Sequence, residues 1–115
     1  MYRSYAANMA KLSNGTISVI FVAQRTELDA DGYARAAAMM DELAAHQDGY
    51  IGIDSVRGAD GLGITVSYWA DEARAKAWRD HPDHAAMREA GRNRWYSDYS
   101  LHVAQVTRSY DWKKP

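Results

Sequence analysis

Thr16-Ile-Ser-Val-Ile-Phe-Val-Ala-Gln-Arg-Thr26 reads as a strand with two apolar faces. Side chains alternate along an extended chain, so Ile17, Val19, Phe21 and Ala23 point one way and Ile20 and Val22 the other. A strand apolar on both sides is expected to be covered on both. Further along, Tyr33, Ala37, Met40, Leu43 and Ala44 recur at helical spacing within 31–47, with Asp31 as the expected cap and Gly49 as the stop. Residues 50–57 and 62–69 alternate as strands around Gly58-Ala59-Asp60-Gly61, and Asp-Gly is a hairpin signal. Asp71 heads a short helix over 72–79. Pro82 opens another over 82–97, capped by His81, since proline fits a first helical turn. Residues 99–110 are the last strand. The order β-α-β-β-α-β is the split βαβ, ferredoxin-like arrangement. It is an α+β fold with helices on one face of a four-stranded antiparallel sheet. The other face would leave Ile20 and Val22 bare, and large apolar patches are rare on monomers. A homodimer packed through the sheet faces is therefore expected. Residues 1–15 read as an N-terminal extension, 16–110 as the domain and 111–115 as a C-terminal tail.

The 115 residues suit one domain, and 14 Lys+Arg against 15 Asp+Glu leave a formal net charge of −1. That balance argues against dedicated binding to nucleic acid or an anionic membrane. Without cysteine there is no disulfide framework, thiolate nucleophile or Cys-zinc site, and a reducing, cytoplasmic compartment is expected. No run approaches the ~20 apolar residues of a membrane span, and residues 1–16 lack a signal-peptide stretch. Nucleophile-elbow, dinucleotide and phosphate-loop motifs are missing. The imbalance is aromatic: four Trp and eight Tyr against a single Phe. Rings with a polar atom favour pockets and interfaces, where that atom finds a partner.

Those rings concentrate near residues 78–99. On a helix over 82–97, His84, Gly91 and Trp95 fall within roughly 40° of one another, flanked by Met87 and Arg88. Two readings stand. The face lines a hollow with an imidazole, a guanidinium and an indole, or it packs on the sheet with Gly91 making room for a large ring. A mid-helix glycine costs about 1 kcal/mol relative to alanine, so it calls for a packing reason. His81 and His84 straddle Pro82 without an acidic partner at helical spacing, and no metal site is expected. Tyr68 and Trp69 close a strand beside a helix start, as a pocket rim or a cap over the core. Trp78 is core or pocket wall. Gln24 alternates with Ile20 and Val22, and a buried amide there needs a partner, a ligand among the candidates.

Residues 16–110 resemble the antibiotic biosynthesis monooxygenase superfamily of dimeric α+β barrels. The resemblance rests on Ile17–Thr26, Gly49-Tyr-Ile-Gly52, Ile64-Thr-Val-Ser-Tyr-Trp69 with Ala-Asp-Glu-Ala73 and Trp78, and Gly91-Arg-Asn-Arg-Trp-Tyr96 with Tyr99. It implies a cofactor-independent monooxygenase oxidising a planar, phenol- or anthrone-like substrate with O2. In that branch Trp69 and Arg88 match functional positions, while Thr65 and Ala75 stand where the branch has Asn and Tyr, and strand 50–57 lacks its His. The expected machinery is His84 as base, Arg88 as cation and Trp69 as the third catalytic residue. Gln24, Tyr68, Trp78, Met87, Gly91 and Trp95 are expected to hold the substrate. The alternative implied by the resemblance is a non-catalytic small-molecule binder or a haem-binding, haem-degrading-like dimer. There Trp78 matches a helix Trp, Gln24 replaces a strand Asn, and His84 lies one turn short of the haem-ligating position.

Overall fold

A computed structural model describes residues 2–3, 12 and 14–115. The elements are β1 (Tyr2–Arg3), β2 (Ile17–Arg25), α1 (Ala30–Ala45), β3 (Tyr50–Arg57), β4 (Leu62–Trp69), α2 (Glu72–Arg79), α3 (Pro82–Ala90), a π-helical turn (Gly91–Trp95) and β5 (Tyr96–Gln105). The sheet runs β1-β3-β4-β2-β5 with every pair antiparallel. Its four long strands, in order β3-β4-β2-β5, make the ferredoxin-like α+β sheet. Of the expected N-terminal extension, Tyr2–Arg3 pairs with β3 opposite Ser55 and Asp54; most of the rest lies outside the described residues. No helix among them is long and apolar enough to cross a membrane.

Local chemistry sets most element ends. The Asp71 carboxylate accepts from the Arg74 backbone N–H at 2.9 Å, and His81 Nδ1 accepts from that of Asp83 at 3.1 Å. Gly61, at φ 90°, turns the β3–β4 hairpin, and Asp60 Oδ1 accepts from Leu62 N–H at 3.0 Å. Two boundaries differ from the sequence reading. α1 is capped by Asp29, not Asp31: Asp29 sits at φ 52° and its Oδ1 accepts from Gly32 N–H at 3.1 Å. A short polar side chain tolerates that left-handed conformation. A Cβ on Gly32 would lie 2.1 Å from Asp29 Oδ2, so only glycine leaves room for this cap. The second helical segment also stops short of Ser97. It relaxes into the π-helical turn at Gly91, and the last strand starts at Tyr96 and ends at Gln105.

The register decides which side chains face the helices. Val19, Phe21 and Ala23 of β2 sit opposite Ser67, Thr65 and Gly63 of β4 and opposite Val103, Leu101 and Tyr99 of β5. On this face Ile17 and Trp69 form a core with Ala44, Ala75 and Trp78. A second core joins Tyr33, Ala36 and Trp95. Ile20, Val22, Ile64, Val66 and Tyr68 share the opposite face, where Ile64 is 39% exposed. No helix among the described residues covers that face.

Candidate functional site

Between the two cores the interior is not filled. A cavity of about 590 Å³ runs along the helix side of the sheet, lined from Val19 to Arg25 of β2, a span of roughly 20 Å at strand rise. It opens along the β5 edge, where the lining residues Leu101 and Val103 are half exposed. Its volume suits a small molecule rather than a peptide.

At one end the wall is α2 and α3. His84 lies flat on Trp78, with ring centroids 4.4 Å apart and planes at 14°. Its Nδ1 is 2.9 Å from the Trp78 carbonyl oxygen. A carbonyl only accepts, so Nδ1 carries the proton, and in the neutral ring Nε2 holds the free lone pair. Burial holds the His84 pKa below its ordinary value; the Arg88 and His81 charges push it the same way, against the Trp78 hydrogen bond. His84 is thus an unprotonated base at neutral pH. Arg88 also lines the cavity, and its guanidinium donates to the Arg79 carbonyl, which anchors the cation near the imidazole.

The other end is built from phenols and guanidiniums. Tyr33 makes edge contacts with Trp95 (5.8 Å) and Tyr96 (5.9 Å). The Arg25 guanidinium sits 3.8 Å from the Tyr33 ring centre and that of Arg57 sits 5.1 Å away. Arg25 is steadied by donating to the Trp95 and Leu28 carbonyls at 3.0 and 3.3 Å. Burial beside Tyr33 pushes the Tyr96 phenol well above its ordinary pKa, so it stays a neutral donor. Burial likewise raises the Asp41 carboxyl, with Arg57 opposing.

Trp78, His84, Met87 and Arg88 line the α2–α3 end of the cavity, and Trp95 lines the Tyr33 end. Four expected site residues lie elsewhere. Trp69 is fully buried behind Trp78, stacked at 6.1 Å, with its Nε1–H donating to Ser67 Oγ at 3.0 Å. It can hold Trp78 in place but does not line the cavity. Gln24 and Tyr68 belong to the opposite face of the sheet, because alternation puts them with Val22 and Val66. Gln24 Nε2 donates to the Asp60 carbonyl at 2.8 Å, so its partner is the hairpin, not a ligand; the Tyr68 hydroxyl donates to Asp54 at 3.2 Å. Gly91 is the packing glycine: a Cβ there would lie 2.8 Å from the Tyr96 ring. The sequence reading missed Phe21, Arg25, Tyr33, Arg57, Tyr96 and Tyr99 as lining residues. The odd parity of Phe21 and Arg25 with core residue Ile17 was the available signal.

Among the described residues no group of three His, Asp or Glu side chains is placed to hold a metal ion. Chains of known family share this architecture. A variant of SnoaB, a cofactor-independent oxygenase from Streptomyces nogalater, superposes with a TM-score of 0.71 at 12% identity, over 83% of this chain and 96% of that one. At that identity the likeness speaks for the fold alone. The sequence is 47% identical over 91 residues to the uncharacterized protein YqjZ of Bacillus subtilis, spanning 79% of each chain. It is 31% identical over 96 residues to a jasmonate monooxygenase of Pyricularia oryzae, covering 80% of this chain and 44% of that one. The family model described as antibiotic biosynthesis monooxygenase matches residues 16–90, from the first long strand through α3. With fold, sequence and cavity in agreement, the chain belongs to the antibiotic biosynthesis monooxygenase family.

Proposed function

We propose that the protein is a cofactor-independent oxygenase that oxidises a small, planar, phenol- or anthrone-like molecule with O2 in this cavity. The observation that carries the reading is His84: neutral, stacked on Trp78, its Nδ1 occupied and its Nε2 lone pair unspent, beside the anchored Arg88. Nε2 takes a proton from the substrate and leaves an electron-rich carbanion or phenolate. The Arg88 cation stabilises that anion and the charge passed to oxygen. The anion adds O2, and the hydroperoxide formed after proton return loses water to leave a carbonyl. One O2 converts a ring CH2 to C=O with release of one H2O. The apolar walls, Phe21, Met87, Trp78 and Trp95, hold the ring system and exclude water. The family includes cofactor-independent oxygenases and, in the Pyricularia relative, a monooxygenase named for jasmonate; both support a small organic substrate. The helix-free apolar face, with Ile20, Val22 and Ile64, supports a homodimer closed through the sheets.

Oxygen uptake with anthrone tests the reading. Turnover lost in His84→Ala and in Arg88→Ala, with folding intact, is the expected result; no uptake across a panel of anthrones and polycyclic phenols refutes it. One observation favours a second reading. Nε2 of His84, with Nδ1 held by the Trp78 carbonyl, is also the nitrogen that would hold a haem iron if haem bound here. A Soret band on titration with haem, abolished by His84→Ala, would establish haem binding in place of oxygenase chemistry.

A further inference from the structure

The cavity's charge is lopsided. Its cationic lining groups are Arg25, Arg57, Lys76, Arg79, Arg88 and Arg92, whereas its acids are Asp41 and Glu72. Glu72 is paired with Lys76, and Arg88 and Arg79 belong to the His84 end. Arg57 is different. Its contact is the Tyr33 ring, and it makes no hydrogen bond or ion pair with the described residues, Asp41 included. Arg57 is exposed at the cavity's mouth, and its five guanidinium donors, without an acceptor among the described residues, are open to a ligand acceptor.

The backbone explains why Arg25 and Arg57 can act together. Arg57 stands opposite Gly63 across the β3–β4 pair, and Gly63 stands opposite Ala23 across the β4–β2 pair, next to Arg25 on the same face. The strand between the two arginines therefore presents glycine, and the turn that precedes it presents Gly61. No β4 side chain fills the space between the guanidiniums. Both lie over Tyr33, whose ring gives them a cation–π floor and spreads them as a fork. Two of the Arg25 donors are spent on carbonyls; the others remain for a ligand.

We infer that Arg25 and Arg57, the latter lying over Gly63, form a carboxylate seat, so that the favoured ligand is an apolar ring system carrying an acid group at the end remote from His84. The inference rests on the cavity being the small-molecule site, as proposed above. It sets specificity: the acid group docks on the arginine pair and the ring system lies along β2 between Phe21 and Met87. A carboxylate matches the planar guanidinium bidentately, and the half-buried Arg25 beside the exposed Arg57 adds a second cation to the seat.

Calorimetric titration of the full chain with 2-naphthylacetic acid and with its neutral isostere, 2-naphthylacetamide, reads this directly. The acid is expected to bind about tenfold tighter than the amide, the factor set by one charge-assisted contact. In Arg57→Gln the preference falls to near parity, and an unchanged far-UV dichroism spectrum and melting temperature certify the fold. Arg57→Lys keeps part of the preference, because it keeps the charge and loses the fork. Equal affinity for acid and amide in the unmodified protein, or a full preference surviving in Arg57→Gln, overturns the seat and leaves the cavity's role standing. Binding of neither compound overturns the cavity reading, and the seat with it.

Discussion

Gly91 poses a contest between two effects of known size. It sits at φ −61° and ψ −46°, ordinary helical values, so alanine is conformationally favoured there by about 1 kcal/mol. Against this, the added Cβ would stand 2.8 and 2.9 Å from two carbons of the Tyr96 ring. That ring has little room to yield. Phe21 meets it at 5.3 Å, Tyr33 at 5.9 Å and Tyr99 at 6.1 Å between centroids, all near edge-on. Overpacking a fixed contact costs roughly 1–3 kcal/mol. The steric term therefore wins, and Gly91→Ala is expected to destabilise the protein by about 1 kcal/mol. Removing the obstacle should reverse the sign. In a Tyr96→Ala background, Gly91→Ala should stabilise by about 1 kcal/mol, giving a coupling of about 2 kcal/mol between the two sites. Urea unfolding of the four proteins, monitored by tryptophan fluorescence and far-UV dichroism with a common m-value, measures the cycle. A stabilising Gly91→Ala in the parent, or a coupling indistinguishable from zero, would refute the reading of Gly91 as the seat of Tyr96.

Three further expectations follow from the same geometry. Because the His84 pKa is lowered, its neutral form belongs to the native state. The unfolded chain then binds more protons as pH falls below the ordinary 6.5 and down through the native value, so stability drops across that window and His84→Gln should flatten the drop; an unchanged acid profile in the variant counts against it. Asp29 both caps α1 and accepts from Trp95 Nε1–H at 3.3 Å. Asp29→Ala should therefore cost about 2 kcal/mol in urea unfolding, the cap plus a stranded indole donor, whereas Asp29→Asn keeps the cap, loses only the indole's acceptor and costs less; equal losses would dismiss the cap, and a cost-free Asp29→Asn the indole contact. Val22→Asp places a charge on the helix-free sheet face and should convert a dimer into a folded monomer in sedimentation velocity; an unchanged mass would remove that face as the interface.

The elements whose ends are fixed by neighbouring residues were legible from the sequence. Asp71, His81 and the Asp60-Gly61 turn act within three or four positions, and the strands at 50–57 and 62–69 match β3 and β4 residue for residue. The α1 cap was misplaced because two aspartates compete, and the decision falls to Gly32, whose missing side chain makes room for Asp29. The π-helical turn was hidden for another reason. Trp95 keeps a helical phase with His84, so the apolar period alone gives no sign that the backbone widens at Gly91 before entering β5. The site divides along the same line. Helical phase sufficed for His84, Met87 and Arg88, which one helix carries. Parity alone could not say which of Gln24 and Arg25 enters the cavity. It supplies two sets of side chains and leaves open which set the helices cover. That choice is made by Ile17 and Trp69, whose bulk packs under α1 and α2 and carries every second residue of β2 and β4 to the same side. Once that side is fixed, Arg25 falls inside and Gln24 outside. The same register brings Arg57 across Gly63 toward Arg25, a contact between residues far apart in the chain. What the sequence left hidden was thus a partnership created by strand pairing, with glycine as the residue that leaves it room.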